Sequence, residues 1–223
     1  TKIRRFMRGG FMRNLFIDTA SSRIILAILE NDKIVYEKNV ENDMNLSTRI
    51  FPLIDEMFQK TNIHPSDVDR IYVVNGPGSF TGVRIGVTIA KTMAWALHKE
   101  IVPLSELELM ATTSVEQTYK VPYIDARREA VFGAIYDKDN QVLLKEQYIS
   151  IEELCKHIPD MNDVAFLGYT PIHIDGTMVE PNVNLSMLIK RHQNDRSLNP
   201  HEVNPNYLKR TEAEEKLEKS LHD

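Results

Sequence analysis

The same order of secondary structure occurs twice in this sequence: three β-rich runs, then a helix pattern. In the first half these elements are residues 14–19, 23–29, 33–39 and a helix at 46–60. In the second half they are residues 121–125, 130–136, 141–149 and a helix at 151–157. The repeat predicts two lobes, each of which starts with a strand meander and continues with α/β elements.

Further elements complete the first half and set the predicted domain boundaries. A buried strand at 70–74 leads through a glycine-rich loop into a helix that extends to about residue 98. A short strand at 101–104 and a helix at 106–119 follow. The predicted divisions are a basic, disordered leader at 1–13, an N-terminal lobe at 14–110 and a C-terminal lobe at 111–223.

Composition and charge exclude several classes of protein. With 42% hydrophobic residues the chain can bury a core, and it has no apolar run long enough to cross a membrane. The single cysteine, Cys155, rules out an internal disulfide and favours a reducing cytoplasm. Residues 1–13 carry a net charge of +5 and residues 14–223 carry −10. Residues 14–223 are therefore poorly suited to binding RNA.

The helix over residues 81–98 carries an unusually wide apolar surface. Its apolar and small residues span about 200° of the helical wheel, whereas a helix on a sheet needs little more than about 100°. Every fourth residue of one ridge is small: Gly78, Gly82, Gly86, Ala90 and Ala94. Because mid-helix glycine costs about 1 kcal/mol relative to alanine, the close approach of another backbone is expected here.

The helix at 46–61 has a similarly wide apolar arc, of about 160°. Two explanations remain open on the pattern alone. The two helices either cover each other within one domain, or an obligate protein partner docks on both.

Two loops are candidate ligand sites. Residues 76–82 join a strand to a helix N-terminus, where free N–H groups favour anions, although glycines there also serve tight turns. The loop lacks the Walker lysine and the Rossmann spacing. Asp18 and Thr19, at the end of the first strand, could face a phosphate or magnesium, or could simply cap the turn.

The seven histidines show no metal-binding spacing, and no catalytic set is apparent.

Four strings carry a resemblance to a known family. They are LFIDTA at 15–20, GPGSFTGVRIG at 76–86, IDARR at 124–128 and PNYLKR at 205–210, which is followed by Glu212 and Glu214. In this order they resemble the bacterial tRNA threonylcarbamoyladenosine biosynthesis family TsaB. The resemblance covers most of the chain, densely up to residue 136.

The resemblance implies a two-lobed actin-like ATPase (ASKHA, ribonuclease H-like) fold with mixed sheets flanked by helices. It also implies a non-catalytic subunit that pairs with its paralogue TsaD, the threonylcarbamoyl transferase, and that works with the ATPase TsaE. The isolated chain could form a homodimer, and tRNA would be met only through the complex. In this chain, the second-lobe loop at 167–171 departs from the glycine-rich adenosine loop of nucleotide-binding relatives. ATP and Mg²⁺ are therefore expected only in the complex.

The resemblance and the helix patterns together give the candidate sites. The predicted partner-binding residues are Ile50, Phe51, Ile54, Phe58, Gly82, Val83, Gly86, Val87, Ala90 and Ala94. The predicted ligand or interface loop comprises Asp18, Thr19, Gly76, Gly78, Ser79, Thr81 and Arg84. No catalytic or metal-binding residue is predicted. The alternative interpretation is a stand-alone ASKHA phosphotransferase or a glycoprotease-like peptidase, which the missing HxxxH motif and Walker lysine disfavour.

Overall fold

The fold was analysed in a computed structural model, which describes residues 11–42 and 45–209. The first lobe is built on a five-stranded sheet of order β3-β2-β1-β4-β5. Its first three strands pair antiparallel, and β4 and β5 add in parallel. The strands are β1 (Arg13–Asp18), β2 (Arg23–Glu30), β3 (Lys33–Glu41), β4 (Arg70–Val74) and β5 (Glu100–Leu104).

The sheet of the second lobe repeats this arrangement. Its order is β10-β9-β6-β7-β8, again with an antiparallel meander and two parallel additions. The strands are β6 (Tyr119–Asp125), β7 (Ala130–Asp137), β8 (Val142–Ser150), β9 (Val164–Leu167) and β10 (Thr177–Val179). The repeated order confirms the predicted fold of two actin-like lobes with mixed sheets.

Helices connect and cover the two sheets. Five α-helices lie in the described part of the chain: α1 (Leu46–Thr61), α2 (Phe80–Leu97), α3 (Glu106–Ala111), α4 (Ile151–Lys156) and α5 (Leu185–His192). On the first sheet, α1 contacts β2 and β3, whereas α2 contacts β1, β4 and β5. Within the described residues, no helix combines the length and the apolar character needed to cross a membrane.

The helix predicted at 106–119 is much shorter than expected. It ends at Ala111, and the next two residues are held by other contacts. The Thr112 hydroxyl donates to the carbonyl of Leu109 and accepts from the backbone N–H of Asn184. Side-chain bonds of this kind compete with helix propagation, and sequence periodicity does not reveal them.

The end of the described chain returns to the first lobe, which corrects the predicted division at 111–223. Leu185, Leu188 and Ile189 of α5 and the later Val203 all lie in the core of the first lobe. The backbone N–H of Leu198 also donates to the carbonyl of Ile101 in β5. The first lobe therefore contains both the start and the end of the described chain.

The predicted leader at 1–13 also changes at its boundary. Arg13 is the first residue of β1 and forms an ion pair with Glu30 at 3.1 Å. The backbone N–H of Met12 donates to the side chain of Asn31. Residues 1–10 lie outside the described residues, as do the acidic residues 212–218.

Candidate partner-binding surface and interlobe cleft

The glycine-rich loop sits against the turn between β1 and β2. The backbone N–H of Ser79 donates to the carbonyl of Ala20 at 2.7 Å. The Ser79 hydroxyl then accepts from the N–H of Gly82 and so caps the start of α2. These bonds fix where α2 begins and how it is rotated about its axis.

Two glycines of this loop are required by its close approach to the turn that follows β1. A Cβ atom on Gly78 would overlap the carbonyl oxygen of Ala20, and one on Gly82 would overlap that of Thr19. One turn later, a Cβ on Gly86 would overlap the hydroxyl of Thr19, which donates to the carbonyl of Gly82. The backbone that approaches the small-residue ridge thus belongs to the turn that follows β1 in this same chain.

This rotation turns much of the predicted partner surface inward. Six of the predicted residues on α2 are buried within the monomer, and Val87 is only 3% exposed. The predicted orientation was therefore wrong, because the glycines place this side of the helix against the sheet. On α1, Ile50 is also buried and faces the core. The six α2 residues are Gly82, Val83, Gly86, Val87, Ala90 and Ala94.

The outer surface between α1 and α2 forms an apolar groove of about 840 Å³. Phe51, Ile54 and Phe58 line it from α1; Phe51 is 63% exposed, whereas Ile54 and Phe58 are mostly buried and also belong to the core of the first lobe. Ile89 and Met93 line it from α2, together with the exposed Thr88 and Thr92. Ile89 is buried in the core of the first lobe and Met93 packs against that core, and neither was predicted from the sequence as a groove residue.

A second, smaller depression lies on the other side of the α2 ridge. It has a volume of about 410 Å³, and Trp95, 61% exposed, forms part of its wall. Thr88 and Thr92 line both depressions, so α2 stands between them as a ridge. The chain's single tryptophan thus lies beside the groove, on the outer face of α2.

Two of the recognised strings meet in space at the start of α2. Arg84 lies 3.7 Å from the ring centroid of Phe80 and donates from Nε to the hydroxyl of Tyr207 at 2.7 Å. Phe80 and Tyr207 stack at 5.2 Å between centroids. The backbone N–H of Asn206 donates to the carbonyl of Asn75, and Asn206 lies against Gly76. Arg84, predicted as a ligand residue, is engaged within its own chain.

A cleft of about 530 Å³ opens between the lobes beside this loop. Ser79 and Thr81 line it from the loop, and Ile124 lines it from the second lobe. On the second-lobe side, Gly168 packs so closely on Tyr123 that a Cβ would overlap the ring. The Tyr123 hydroxyl donates to the carbonyl of Thr170 at 2.8 Å. Gly168 and Thr170 of the loop at 167–171 therefore contact the sheet of their own lobe.

Asp18 faces another carboxyl group rather than the cleft. It is fully buried at the end of β1, where its Oδ1 accepts from the N–H of Ala20. Burial raises the pKa of Asp18 to about 7. Burial and the neighbouring charge of Asp18 raise the pKa of Glu106, the first residue of α3, well above its usual value. No group of three metal-ligating side chains occurs in residues 11–42 and 45–209.

Comparison with known proteins places this geometry in a family. A family model for TsaD, described as tRNA N6-adenosine threonylcarbamoyltransferase, matches residues 41–186. The tRNA threonylcarbamoyladenosine biosynthesis protein TsaB of Bacillus subtilis is 31% identical, over 92% of this chain and 97% of its own length. The chain belongs to the TsaB family. The TsaB protein of Escherichia coli is 33% identical over 57% of this chain.

Solved structures support the TsaB-family fold. YeaZ from Pseudomonas aeruginosa aligns with a TM-score of 0.73 over 88% of this chain and the whole of that chain, at 21% identity. A second structure from that organism, of a protein with similarity to peptidase YeaZ, aligns with a TM-score of 0.75 at 20% identity. At this identity the similarity establishes the fold alone.

Proposed function

We propose that this chain acts in the biosynthesis of threonylcarbamoyladenosine in tRNA as a non-catalytic, partner-binding subunit. It pairs with the transferase paralogue TsaD through the groove between α1 and α2, and the ATPase TsaE joins the pair in the cytoplasm. Relatives named for this pathway, one of them similar along nearly the whole chain, support the pathway. The groove is the observation that supports the partner-binding role.

The groove has the composition of a protein-binding site. Two phenylalanines, three isoleucines and a methionine line it, and apolar surface at the centre of an interface is typical of stable complexes. The exposed Phe51 and Trp95 are aromatic residues of the kind that often dominate binding energy. Burying such an apolar surface against protein removes it from water and lowers the free energy.

A paralogue suits this groove because it brings the same pair of helices. The TsaD family model matches residues 41–186, a range that includes both α1 and α2. Two chains of one fold can therefore pair through equivalent surfaces about an approximate two-fold axis, as in symmetric dimers. The same surface would serve a homodimer when the paralogue is absent.

The proposal is tested by removing the chain from cells. Depletion should lower threonylcarbamoyladenosine in total tRNA, measured by mass spectrometry of nucleosides, and a tagged chain should co-purify with the TsaD paralogue. Normal modification in depleted cells would contradict the pathway assignment. Modification that is lost without any co-purification would contradict the pairing.

Nucleotide binding by the isolated chain is expected to be weak. Gly78 and Gly82 pack on the turn after β1, and Gly168 packs on Tyr123, so we expect neither loop to offer the usual contacts to phosphate or adenosine. The dissociation constant for Mg·ATP should be on the order of 1 mM or weaker. Calorimetric titration of the purified chain measures it, and a micromolar value would favour a kinase-like function.

Binding of tRNA by the isolated chain should be weak and strongly dependent on salt. Outside residues 1–13 the chain carries a net charge of −10, which repels phosphate, whereas those residues carry +5. Deleting residues 1–11 should abolish the remaining binding in a filter or gel-shift assay. Tight binding by the shortened chain would contradict a role that meets tRNA only through the complex.

A further inference from the structure

Three acidic side chains from different parts of the fold meet at the junction of the lobes. Asp18 ends β1 in the first lobe, and Glu106 begins α3. Tyr169, which follows β9, comes from the second lobe. Its pKa is raised, mainly by burial and in addition by the negative charges of Glu106 and Asp18. The three groups therefore lie close enough to affect one another's ionisation.

Helix α3 forms the contact between the lobes at this point. Its Leu109 lies in the core of the first lobe. Leu107 and Met110 belong to a separate buried cluster with residues of the second sheet, and Tyr169 packs against that cluster. Any change in charge at Glu106 thus acts on the helix that both lobes share.

The acidic groups at this junction have unsatisfied hydrogen-bonding capacity. Among the described residues, no well-aligned donor or acceptor meets Oδ2 of Asp18, either carboxyl oxygen of Glu106, or the hydroxyl of Tyr169. Both carboxyl side chains are fully buried. An ionised carboxylate can only accept, so two ionised carboxylates here would leave these three oxygens without donors and would repel each other. One proton between them supplies a donor and removes a charge.

The surrounding groups do not replace this proton. The positive charge of Arg23, at the start of β2, acts to lower the pKa of Tyr169, but burial and the neighbouring acidic charges outweigh it. The Nε of Arg23 donates to the side chain of Asn39 on β3. Glu180, after β10, adds negative charge. The hydroxyl of Ser21 lies near Glu106 and favours its ionised form, but it is neutral.

We propose that Asp18 and Glu106 share a proton that keeps the two lobes closed on α3, and that release of this proton to solvent loosens the junction. The proposal is independent of the partner-binding role, since neither Asp18 nor Glu106 lines the α1–α2 groove. It makes the stability of the lobe junction depend on pH in a defined direction.

The direction follows from the raised pKa values. In the unfolded chain both carboxyls ionise at a pH of about 4. The stabilisation is complete below that pH and is lost as the pH rises through the folded pKa values, which are about 7 for Asp18 and well above its usual value for Glu106. Each pH unit in which the folded chain holds one extra proton lowers the folding equilibrium constant about tenfold.

The test compares urea unfolding of wild type, Glu106→Gln and Glu116→Gln between pH 5 and 9. Glutamine keeps the shape of Glu106 but cannot ionise, and Glu116 is an exposed glutamate that serves as the matched control. We expect the wild-type folding constant to fall relative to that of Glu106→Gln by at least tenfold, and the Glu116→Gln curve to follow wild type. Parallel curves for wild type and Glu106→Gln would overturn the proposal.

A second measurement separates loosening of the junction from global stability. At pH 8.5, hydrogen exchange of the amides at 107–111 should be at least threefold faster in wild type than in Glu106→Gln, with exchange in β7 unchanged. Asp18→Asn should behave like Glu106→Gln, which keeps the test available if one variant folds poorly. Equal exchange rates would overturn the proposal. So would stabilisation of wild type alone by millimolar Mg²⁺, because a cation would then take the place of the proton.

Discussion

Phe51→Glu is expected to weaken binding to the TsaD paralogue about 1,000-fold while leaving the monomer folded. Phe51 is 63% exposed in the monomer and lines the groove between α1 and α2. In the free chain the new carboxylate reaches water, so the free energy of unfolding should change by less than about 1 kcal/mol. In the complex the same charge would be buried without a partner, which costs several kcal/mol, and about 4 kcal/mol corresponds to the expected factor.

Leu143→Glu is the matched control. Leu143 is also an exposed apolar residue, but it lies on β8 of the second lobe and does not line the groove. Calorimetry or surface plasmon resonance with the purified paralogue measures affinity, and thermal melting measures stability. Equal loss of binding by both variants would indicate a general effect of charge. Wild-type affinity of a folded Phe51→Glu protein would exclude the groove as the interface.

The fold could be predicted from the sequence because its strongest signals are local. Each meander strand is a short β-rich run bounded by polar turns, and the repeat of that order gave two lobes before any long-range contact was known. The returning end of the chain could not be predicted in this way. Leu185 and Leu188 have an ordinary amphipathic pattern, which fits either core equally well.

The orientation of α2 depends on contacts that the helical wheel does not contain. An apolar arc of about 200° covers the residues that face the sheet and those that line the groove, and periodicity treats Val87 and Ile89 alike. The rotation is set by Gly82 and Gly86 fitting against Thr19, more than 60 residues earlier in the chain. The glycine ridge was visible in the sequence, but the backbone that it approaches was not.

The carboxyl pair was hidden for the same reason. Asp18 ends the first strand and Glu106 begins a helix after the fifth, so no motif of fixed spacing connects them. Parallel addition of β4 and β5 beside β1 brings these two chain positions to the same edge of the sheet. A lone aspartate at a strand end is therefore interpreted as a turn residue until the sheet order is known.

Val87→Glu is expected to prevent stable folding, although Val87 was predicted from the sequence as a partner-binding residue. Val87 is 3% exposed and lies in the core of the first lobe, so a carboxylate there would be buried without a partner. The cost of about 4 kcal/mol, a factor of about 1,000 in the folding constant, is a large part of the 5–15 kcal/mol that typically stabilises a domain.

Thr88→Glu provides the comparison at the neighbouring position. Thr88 is exposed and lines the groove, so this variant should melt close to wild type yet bind the paralogue poorly, whereas Val87→Glu should melt far lower or be recovered insoluble. Thermal melting and soluble yield of the two variants, prepared side by side, measure the difference. A Val87→Glu protein with wild-type stability would mean that α2 is rotated, so that its small-residue ridge points away from the turn after β1.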